Sequence, residues 1–151
     1  MPEGGQARAV GRGEGVSGGY RFLPHTADIR FEAWGGSREE CLAQACRALV
    51  ASFAEIPASA PARTASAGID GGDEQLLLSV LDEIIYRLDV GGTLPREIDV
   101  RPTPTGIDLD MSEVDTDRVR FTGATPKAVS LHGFSFTRDD RGWRCSVTVD
   151  V

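Results

Sequence analysis

Alternating apolar and charged residues predict the first strand of the chain. In residues 29–33 every second side chain is apolar, a period of two that is typical of a strand with one buried face. A helix is expected soon afterwards, because Ser37 and Glu40 have the spacing of a capping box. In that motif the serine hydroxyl accepts a hydrogen bond from the glutamate amide, and the glutamate carboxylate bonds back to the serine amide.

Two helices are predicted from apolar residues that recur every three or four positions. The first helix places five apolar side chains on one face, namely Leu42, Ala45, Cys46, Leu49 and Phe53. The second extends from about Asp73 to Val90 and carries a broader apolar stripe, so we expect it to be deeply packed. Gly91 and Gly92 supply a C-terminal cap for this helix, and Pro95 prevents its continuation.

The remaining apolar patterns are those of strands. We predict a short edge strand at Thr64–Ile69, a strand around residues 107–111, another at about 125–137 and a last one at Trp143–Val151. A strand, a helix, an edge strand, a helix and then several strands together indicate an α+β fold. We expect a single domain in which two amphipathic helices pack on a largely antiparallel β-sheet.

A glycine-rich segment precedes the predicted domain. Residues 1–19 contain seven glycines and no apolar periodicity, so they bury too little surface to offset the entropy of ordering. We therefore predict a disordered tail over residues 1–19 and an ordered domain over residues 20–151. The tail contains a G-x-G-x-x-G match at residues 13–18, but no strand leads into it and no helix begins within it. It does not indicate a dinucleotide site.

Composition and charge exclude several classes of protein. The chain has 151 residues and a net charge of −7, with 16 basic against 23 acidic residues and no basic run. Phosphate-driven nucleic-acid binding requires clustered cations, so we expect any contact with RNA to be indirect, through another protein. No apolar run approaches the roughly 20 residues of a membrane span, and no secretory signal follows Met1. We expect a cytoplasmic protein whose three cysteines are free, small apolar residues.

Three oxygen-bearing groups are the candidates for a metal site. Asp28 lies at the start of the first predicted strand, whereas Asp150 and the α-carboxylate of Val151 lie at the end of the last one. Together these groups would form an all-oxygen cluster of the kind that hard cations such as Ca²⁺ and Mg²⁺ prefer. The alternative is that Asp28 bonds its own backbone in a turn and that Asp150 is merely solvated.

Two histidines and one acidic segment are weaker candidates. His25 precedes a turn, and His132 shares an alternating face with two phenylalanines, so both are interpreted as structural, packed side chains. Residues 108–113 only loosely resemble a calcium loop, because they lack the glycine and glutamate that an EF-hand requires. An enzymatic hypothesis remains, in which a small metal-dependent phosphotransferase or hydrolase uses His25 or His132 as general base together with Asp28.

Motifs spread over the whole predicted domain resemble those of the archease family. The stretch Pro-His25-Thr26-Ala27-Asp28-Ile29 resembles the N-terminal motif of that family. The other matching stretches are Phe31–Gly35, Glu39-Glu40 at the head of the first helix, the second helix with its Gly-Gly-Thr-Leu94-Pro95 ending, Lys127–Gly133, and Gly142–Val151. The resemblance covers about residues 20–151.

This resemblance implies a function. Archeases are small protein partners of the RtcB-type RNA ligase, which uses GTP to join RNA ends in tRNA splicing and RNA repair. By resemblance, the chain is a non-enzymatic activator that promotes guanylylation of the ligase and sustains its turnover. The metal site of the family corresponds here to Asp28, Asp150 and Val151, with Ca²⁺ as the first expectation and Mg²⁺ or Mn²⁺ as alternatives.

Two residues depart from the family pattern. Arg30 stands where the family usually has a small residue, and Leu131 replaces a tyrosine before His132. Because Arg30 lies two positions from Asp28, the two side chains share a face of the strand, and the positive charge competes with a cation there. A third hypothesis is structural: the cation only ties the last strand to the first.

Overall fold

The structure, a computed structural model, describes residues 17–24 and 28–151. Its strands are β1 (Gly19–Leu23), β2 (Ile29–Gly35), β3 (Ala54–Glu55), β4 (Arg63–Asp70), β5 (Thr93–Pro102), β6 (Gly106–Asp115), β7 (Arg120–Phe121), β8 (Ala128–Asp139) and β9 (Gly142–Asp150). The helices are α1 (Arg38–Ala51) and α2 (Asp73–Tyr86), and α2 continues into a π-helical turn at Arg87–Gly91. A 3₁₀ turn at Thr116–Arg118 links β6 to β7.

The strands form two main sheets with antiparallel neighbours. One sheet has four strands in the order β1-β2-β9-β8, and the other has three in the order β4-β6-β5. The short strands β3 and β7 pair with each other. Both helices contact both main sheets, since α1 packs on β2 and β5 while α2 packs on β8 and β4. The predicted α+β class with two helices and antiparallel strands is confirmed, with the strands divided between two sheets.

The predicted apolar faces of both helices form the core. All five apolar residues of the first predicted face are buried, and α2 buries Leu76, Leu77, Val80, Leu81 and Ile84. Each such leucine, isoleucine or phenylalanine contributes about 1.5–3 kcal/mol through removal of its side chain from water. The core is completed by the inward residues of β2 and β9, among them Phe31, Val147 and Val149. The helices therefore hold β2 and β9 in fixed positions.

The three cysteines belong to this core. Cys41, Cys46 and Cys145 are free and buried, as predicted. Burial raises the pKa of the Cys46 thiol to about 12. The neighbouring Cys145 thiol, and then burial, raise the pKa of the Cys41 thiol. The Cys41 and Cys46 thiols therefore stay protonated at neutral pH and act as small apolar side chains.

The sequence signals at the start of α1 and after the end of α2 are confirmed, with one exception. The Ser37 hydroxyl accepts a hydrogen bond from the Glu40 amide at 3.0 Å, which confirms the N-terminal cap of α1. The second half of the predicted capping box is wrong within the described residues, because the Glu40 carboxylate accepts a hydrogen bond from Gln44 instead. After the π-helical turn, Gly92 adopts a left-handed conformation with φ of +65°, as its predicted role as a cap requires.

The N-terminal boundary is close to the predicted one. Strand β1 begins at Gly19, one residue before the expected start of the domain, and pairs with β2 along its length. Residues 1–16, which make up most of the predicted tail, lie outside the described residues, so its disorder stays a prediction. In the part of the chain that the structure describes, no helix is both long enough and apolar enough to span a membrane.

Candidate functional site

The pairing of β2 with β9 brings Asp28 and Asp150 to the same end of the four-stranded sheet. The two strands are antiparallel, and the last residue pair of their ladder is Ile29 with Val149. Asp28 precedes Ile29 and Asp150 follows Val149, so continuing the ladder by one residue pair leads to the two aspartates. Opposed residues of antiparallel strands have their Cα atoms about 5 Å apart. The two sequence-predicted aspartates therefore lie at the same end of the sheet, next to the last residue pair of adjacent strands.

The neighbouring strand β8 fixes the end of β9. Ala128 lies opposite Asp150, and the Lys127 amide donates a hydrogen bond of 2.8 Å to the Asp150 carbonyl oxygen. The Asp150 side chain is exposed, as predicted, while Asp28 and Val151 are half-buried. Because the Asp150 carbonyl already accepts this bond, the backbone is held in place while the carboxylate remains in contact with solvent.

Asp28 also lines a surface pocket of about 200 Å³ between the sheet and the end of α1. Residues of β1 and β2 form one side of the pocket, and Ala51 and Ser52 at the C-terminal end of α1 form the other. The carbonyl end of a helix carries a partial negative charge, and the last turn of α1 contains no basic residue to offset it. On this side Asp28 therefore adjoins a partial negative charge, while Arg30, which also lines the pocket, brings a positive one.

Arg30 is the cationic residue closest in sequence to this end of β2. Its side chain is exposed and lies on the opposite face from the fully buried Phe31. Strand alternation therefore directs it to the outer face of the sheet, away from the helices. Within the described residues the Arg30 guanidinium makes no hydrogen bond or ion pair, in contrast to Arg21, which pairs with Glu32 at 2.8 Å.

Asp28 and Asp150 offer oxygen donors, the type that hard cations accept. In the part of the chain that the structure describes, no three or more His, Cys, Asp or Glu residues come together as a metal cluster. Asp28 and Asp150 provide two carboxylates, and a further ligand would have to come from the main chain, as at Val151, or from water. Mg²⁺ and Ca²⁺ accept oxygen ligands of this kind, whereas zinc sites need nitrogen or sulfur ligands in larger number.

The structure corrects the prediction for His132. The register of β8 against β9 shifts between Ser130 and Ser135, and His132 lies in this bulge with an exposed side chain. Its neighbour Leu131 is 68% exposed. Because extra residues are inserted, the alternation that placed His132 with Phe134 and Phe136 does not continue through the bulge. His132 is therefore not packed, and the prediction was wrong.

His132 does not supply a general base beside Asp28. His25 lies outside the described residues, so its predicted structural role is not tested. His132 lies on β8, which is separated from β2 by β9, a distance of about 10 Å between strand axes. A general base must reach its proton within about 3 Å or through one water. The enzymatic hypothesis therefore gains no support from the described geometry.

The acidic segment 108–113 lies in the three-stranded sheet, away from this end of the molecule. Asp110 contacts Arg101 at 2.6 Å and accepts a hydrogen bond from Ser66, and Asp108 contacts Arg101 at 3.5 Å. These carboxylates are neutralised by an arginine on the adjacent strand. Their positions agree with the sequence-based exclusion of an EF-hand.

The chain is similar in sequence to several archeases. A family model described as the archease protein family matches residues 20–151. A probable protein archease of Mycobacterium tuberculosis is 40% identical over 147 residues, which are 96% of this chain and 82% of that protein. Protein archease of Archaeoglobus fulgidus is 27% identical over 135 residues, which are 87% of this chain and 98% of that protein.

Two solved structures share the fold. The crystal structure of an archease from Thermotoga maritima, described as a possible chaperone, superimposes with a TM-score of 0.63 over 85% of this chain and 94% of its own, at 21% identity. The solution structure of a Methanobacterium thermoautotrophicum protein gives the same TM-score and identity over 88% of this chain and 99% of its own. The sequence matches and the shared fold agree. The chain belongs to the archease protein family.

Proposed function

We propose that this protein is a non-enzymatic, metal-binding activator of an RtcB-type RNA ligase in the cytoplasm. In this role it promotes guanylylation of the ligase and sustains its turnover in tRNA splicing and RNA repair. Membership of the archease family supports the choice of partner. The observation that carries the proposal is the β2–β9 pairing, which brings two aspartates that are 122 positions apart in the chain (150 − 28) to the same end of the sheet.

The proposed metal ligands are Asp28, Asp150 and the α-carboxylate of Val151. Two carboxylates about 4 Å apart repel each other by roughly 4 kcal/mol at an effective dielectric constant near 20. A divalent cation between them replaces this repulsion with attraction, so the arrangement is most stable when a cation is bound. We expect Ca²⁺ first, with Mg²⁺ or Mn²⁺ as alternatives, because all three accept oxygen ligands.

The net charge supports a protein partner over a direct RNA substrate. A net charge of −7 repels RNA over most of the surface, and it attracts an RNA-handling enzyme whose own surface is basic. Complementary fields of this kind accelerate encounter between two proteins. In this proposal the protein approaches RNA through the ligase.

The decisive experiment measures guanylylation of the purified ligase with limiting amounts of this protein. An activator that acts on one ligase molecule after another raises the guanylylated fraction and the number of ligation cycles even when one activator is present per several ligases. Asp28→Asn and Asp150→Asn should each abolish most of that stimulation. Asp117→Asn is the matched control, because Asp117 is an exposed carboxylate in the 3₁₀ turn, outside this end of the sheet.

Each competing hypothesis predicts a different result, which a separate measurement can detect. A metal-dependent phosphotransferase or hydrolase would turn over a nucleotide or phosphoester without any ligase present. A purely structural cation would lower the melting temperature when removed and leave stimulation of the ligase unchanged after its return. No stimulation of the ligase by the wild-type protein would overturn the proposed function.

A further inference from the structure

A row of three polar side chains crosses the four-stranded sheet next to the two aspartates. Arg30 of β2 lies opposite Thr148 of β9, which in turn lies opposite Ser130 of β8. Because Phe31 and Val149 of the same strands are buried against the helices, Arg30, Thr148 and Ser130 project from the other face of the sheet. The three side chains therefore form one continuous polar row on the outer face.

This row is adjacent to the row that contains Asp28 and Asp150. Residues two positions apart on a strand are separated by roughly 7 Å, and neighbouring strands by about 4.8 Å. A cation held by the two aspartates would therefore lie beside the row of Arg30, Thr148 and Ser130. A small ligand placed above Thr148 can contact the cation on one side and the polar row on the other.

Arg30 differs from the other arginines on this face. Arg21 pairs with Glu32 at 2.8 Å, and Arg144 lies 3.9 Å from Glu32 and over the Trp34 ring. Within the described residues Arg30 makes no such contact, although its guanidinium carries a full positive charge. Its charge is therefore available to an anion from outside the chain.

The hydroxyl groups of the row complement that charge. The Ser130 hydroxyl oxygen accepts a hydrogen bond from the His132 amide at 3.2 Å, so the hydroxyl proton remains free to be donated elsewhere. Thr148 lies between Ser130 and Arg30, and its hydroxyl can also donate. A guanidinium and two hydroxyl donors beside a cation form an anion-binding arrangement.

We propose that Arg30, Thr148 and Ser130 form a subsite for a phosphate group that also ligates the cation held by Asp28 and Asp150. A phosphate is favoured because its tetrahedral oxygens can contact the guanidinium, the hydroxyls and the cation at once, whereas a carboxylate offers only two oxygens. The bound phosphate also separates the positive charges of Arg30 and the cation. The proposal rests on the metal site of the proposed function.

The test compares phosphate binding and cation binding in the same variants. The probes are adenosine monophosphate and a 5′-phosphorylated oligoribonucleotide, titrated by calorimetry and by fluorescence anisotropy in MgCl₂. Arg30→Gln should weaken binding of the phosphate probe at least fivefold. The same substitution should leave Mg²⁺ affinity, measured alone, unchanged or a few-fold tighter, because a repelling charge has been removed. Thr148→Val should weaken phosphate binding, and Thr148→Ser should restore it.

Arg138→Gln is the matched control. Arg138 is an exposed arginine of the same sheet, without an ion pair among the described residues, and it lies opposite Trp143 at the other end of β9. Arg138→Gln should leave the binding of both phosphate probes unchanged. Equal losses in Arg30→Gln and Arg138→Gln would assign the binding to overall charge and overturn the subsite.

The two probes and the metal titration separate the remaining outcomes. Arg30-dependent binding of adenosine monophosphate supports a small-molecule phosphate, and Arg30-dependent binding of the oligonucleotide alone supports the phosphate of an RNA strand. Binding of Mg²⁺ without binding of either probe overturns the subsite and leaves the metal site standing. If Mg²⁺ fails to bind, the metal site is overturned. Arg30-dependent phosphate binding in EDTA would then support the subsite, and its absence would overturn it as well.

Discussion

The two main sheets carry the same kinds of polar residue on their exposed faces and use them differently. In the three-stranded sheet, Arg101 contacts Asp108 and Asp110, and Arg63 contacts Asp115 at 3.0 Å. At the Asp28 end of the four-stranded sheet, neither the Asp150 carboxylate nor the Arg30 guanidinium has an ion-pair partner within the described residues. The three-stranded sheet pairs these charges within itself, whereas this end of the four-stranded sheet leaves the opposite charges of Asp150 and Arg30 in adjacent rows.

This difference shows which charges are available to a ligand. An exposed ion pair contributes at most about 1 kcal/mol to stability, and it satisfies both partners without recruiting anything from solution. Charges that remain apart at the end of a sheet contribute nothing to stability by pairing, and they can bind ions of opposite sign. The acidic residues of β6 and Asp150 at the end of β9 therefore differ in their availability to a ligand despite similar sequence patterns.

The largest effect on stability is expected in the three-stranded sheet, at Glu113. This carboxylate is only 6% exposed, accepts a hydrogen bond from Thr93 at 3.0 Å and contacts Arg87 at 3.2 Å. Glu113→Ala leaves the buried Thr93 hydroxyl without its acceptor and leaves Arg87 with Glu83 alone, and it should lower the free energy of unfolding by about 2 kcal/mol. Urea denaturation measures the change in the free energy of unfolding, and the substitution Glu97→Ala at an exposed glutamate is the control. A change below about 0.5 kcal/mol, the range of neutral surface substitutions, would contradict a structural role.

The largest effect on cation binding is expected at the other sheet. Asp28→Asn and Asp150→Asn should each weaken Ca²⁺ binding about tenfold or more, which corresponds to about 1.4 kcal/mol. Both should change the free energy of unfolding in the absence of metal by less than about 0.5 kcal/mol, because neither side chain is part of the core. Calorimetric titration measures the affinity. If Asp108→Asn had the same effect, the contrast between the two sheets would be wrong.

A C-terminal extension tests the third proposed ligand. A Gly-Ser extension after Val151 converts its α-carboxylate into a neutral amide carbonyl, which binds a hard cation more weakly. We expect a several-fold loss of Ca²⁺ affinity and of ligase stimulation. The same extension at the N-terminus, or the conservative Val151→Ile, should have little effect. Equal affinities for both extended proteins would limit the site to Asp28 and Asp150.

The smallest effect is a pH dependence in the three-stranded sheet. The Arg101 guanidinium, and then the Ser66 hydroxyl, hold the pKa of Asp110 below its ordinary value. Because the folded-state pKa is the lower one, the pair stabilises the protein above the unfolded-state pKa of about 3.9, and this contribution is lost as pH falls through the folded-state value. Asp110→Asn should therefore remove a small part of the acid sensitivity, measurable as melting temperature from pH 6 to pH 2. An identical pH profile in both proteins would show that the pair is not formed.

Elements with an uninterrupted period could be predicted from the sequence. The alternation is regular in residues 29–33 and in the last strand, and the apolar residues of both helices recur regularly every three or four positions. Each of these segments forms the expected element. Strand β5 was not predicted, because a register shift between Pro95 and Glu97 breaks its alternation. The same kind of interruption made the prediction for His132 wrong. Local patterns predict elements only where no bulge shifts the register.

The candidate site could be predicted only in part. Asp28 and Asp150 were recognised at strand ends, but their location at one end of the sheet depends on the β2–β9 pairing, which joins residues at least 108 positions apart. The polar row of Arg30, Thr148 and Ser130 comes from three separate strands, and no sequence window contains it. Non-local pairing is set by packing of the helices against both sheets, which a local pattern does not contain.

The central claim is that one cation contacts the ends of β2 and β9 together, and Mn²⁺ titration followed by amide NMR tests it most directly. A paramagnetic ion broadens the resonances of nearby amides. At substoichiometric Mn²⁺ we predict that the amides of Ile29, Val149 and Asp150 broaden first and together, while those of Asp108 and Asp110 stay sharp. Asp28→Asn should abolish this selective broadening. Broadening that begins at Asp108 and Asp110, or that affects only one of the two strands, would contradict the claim.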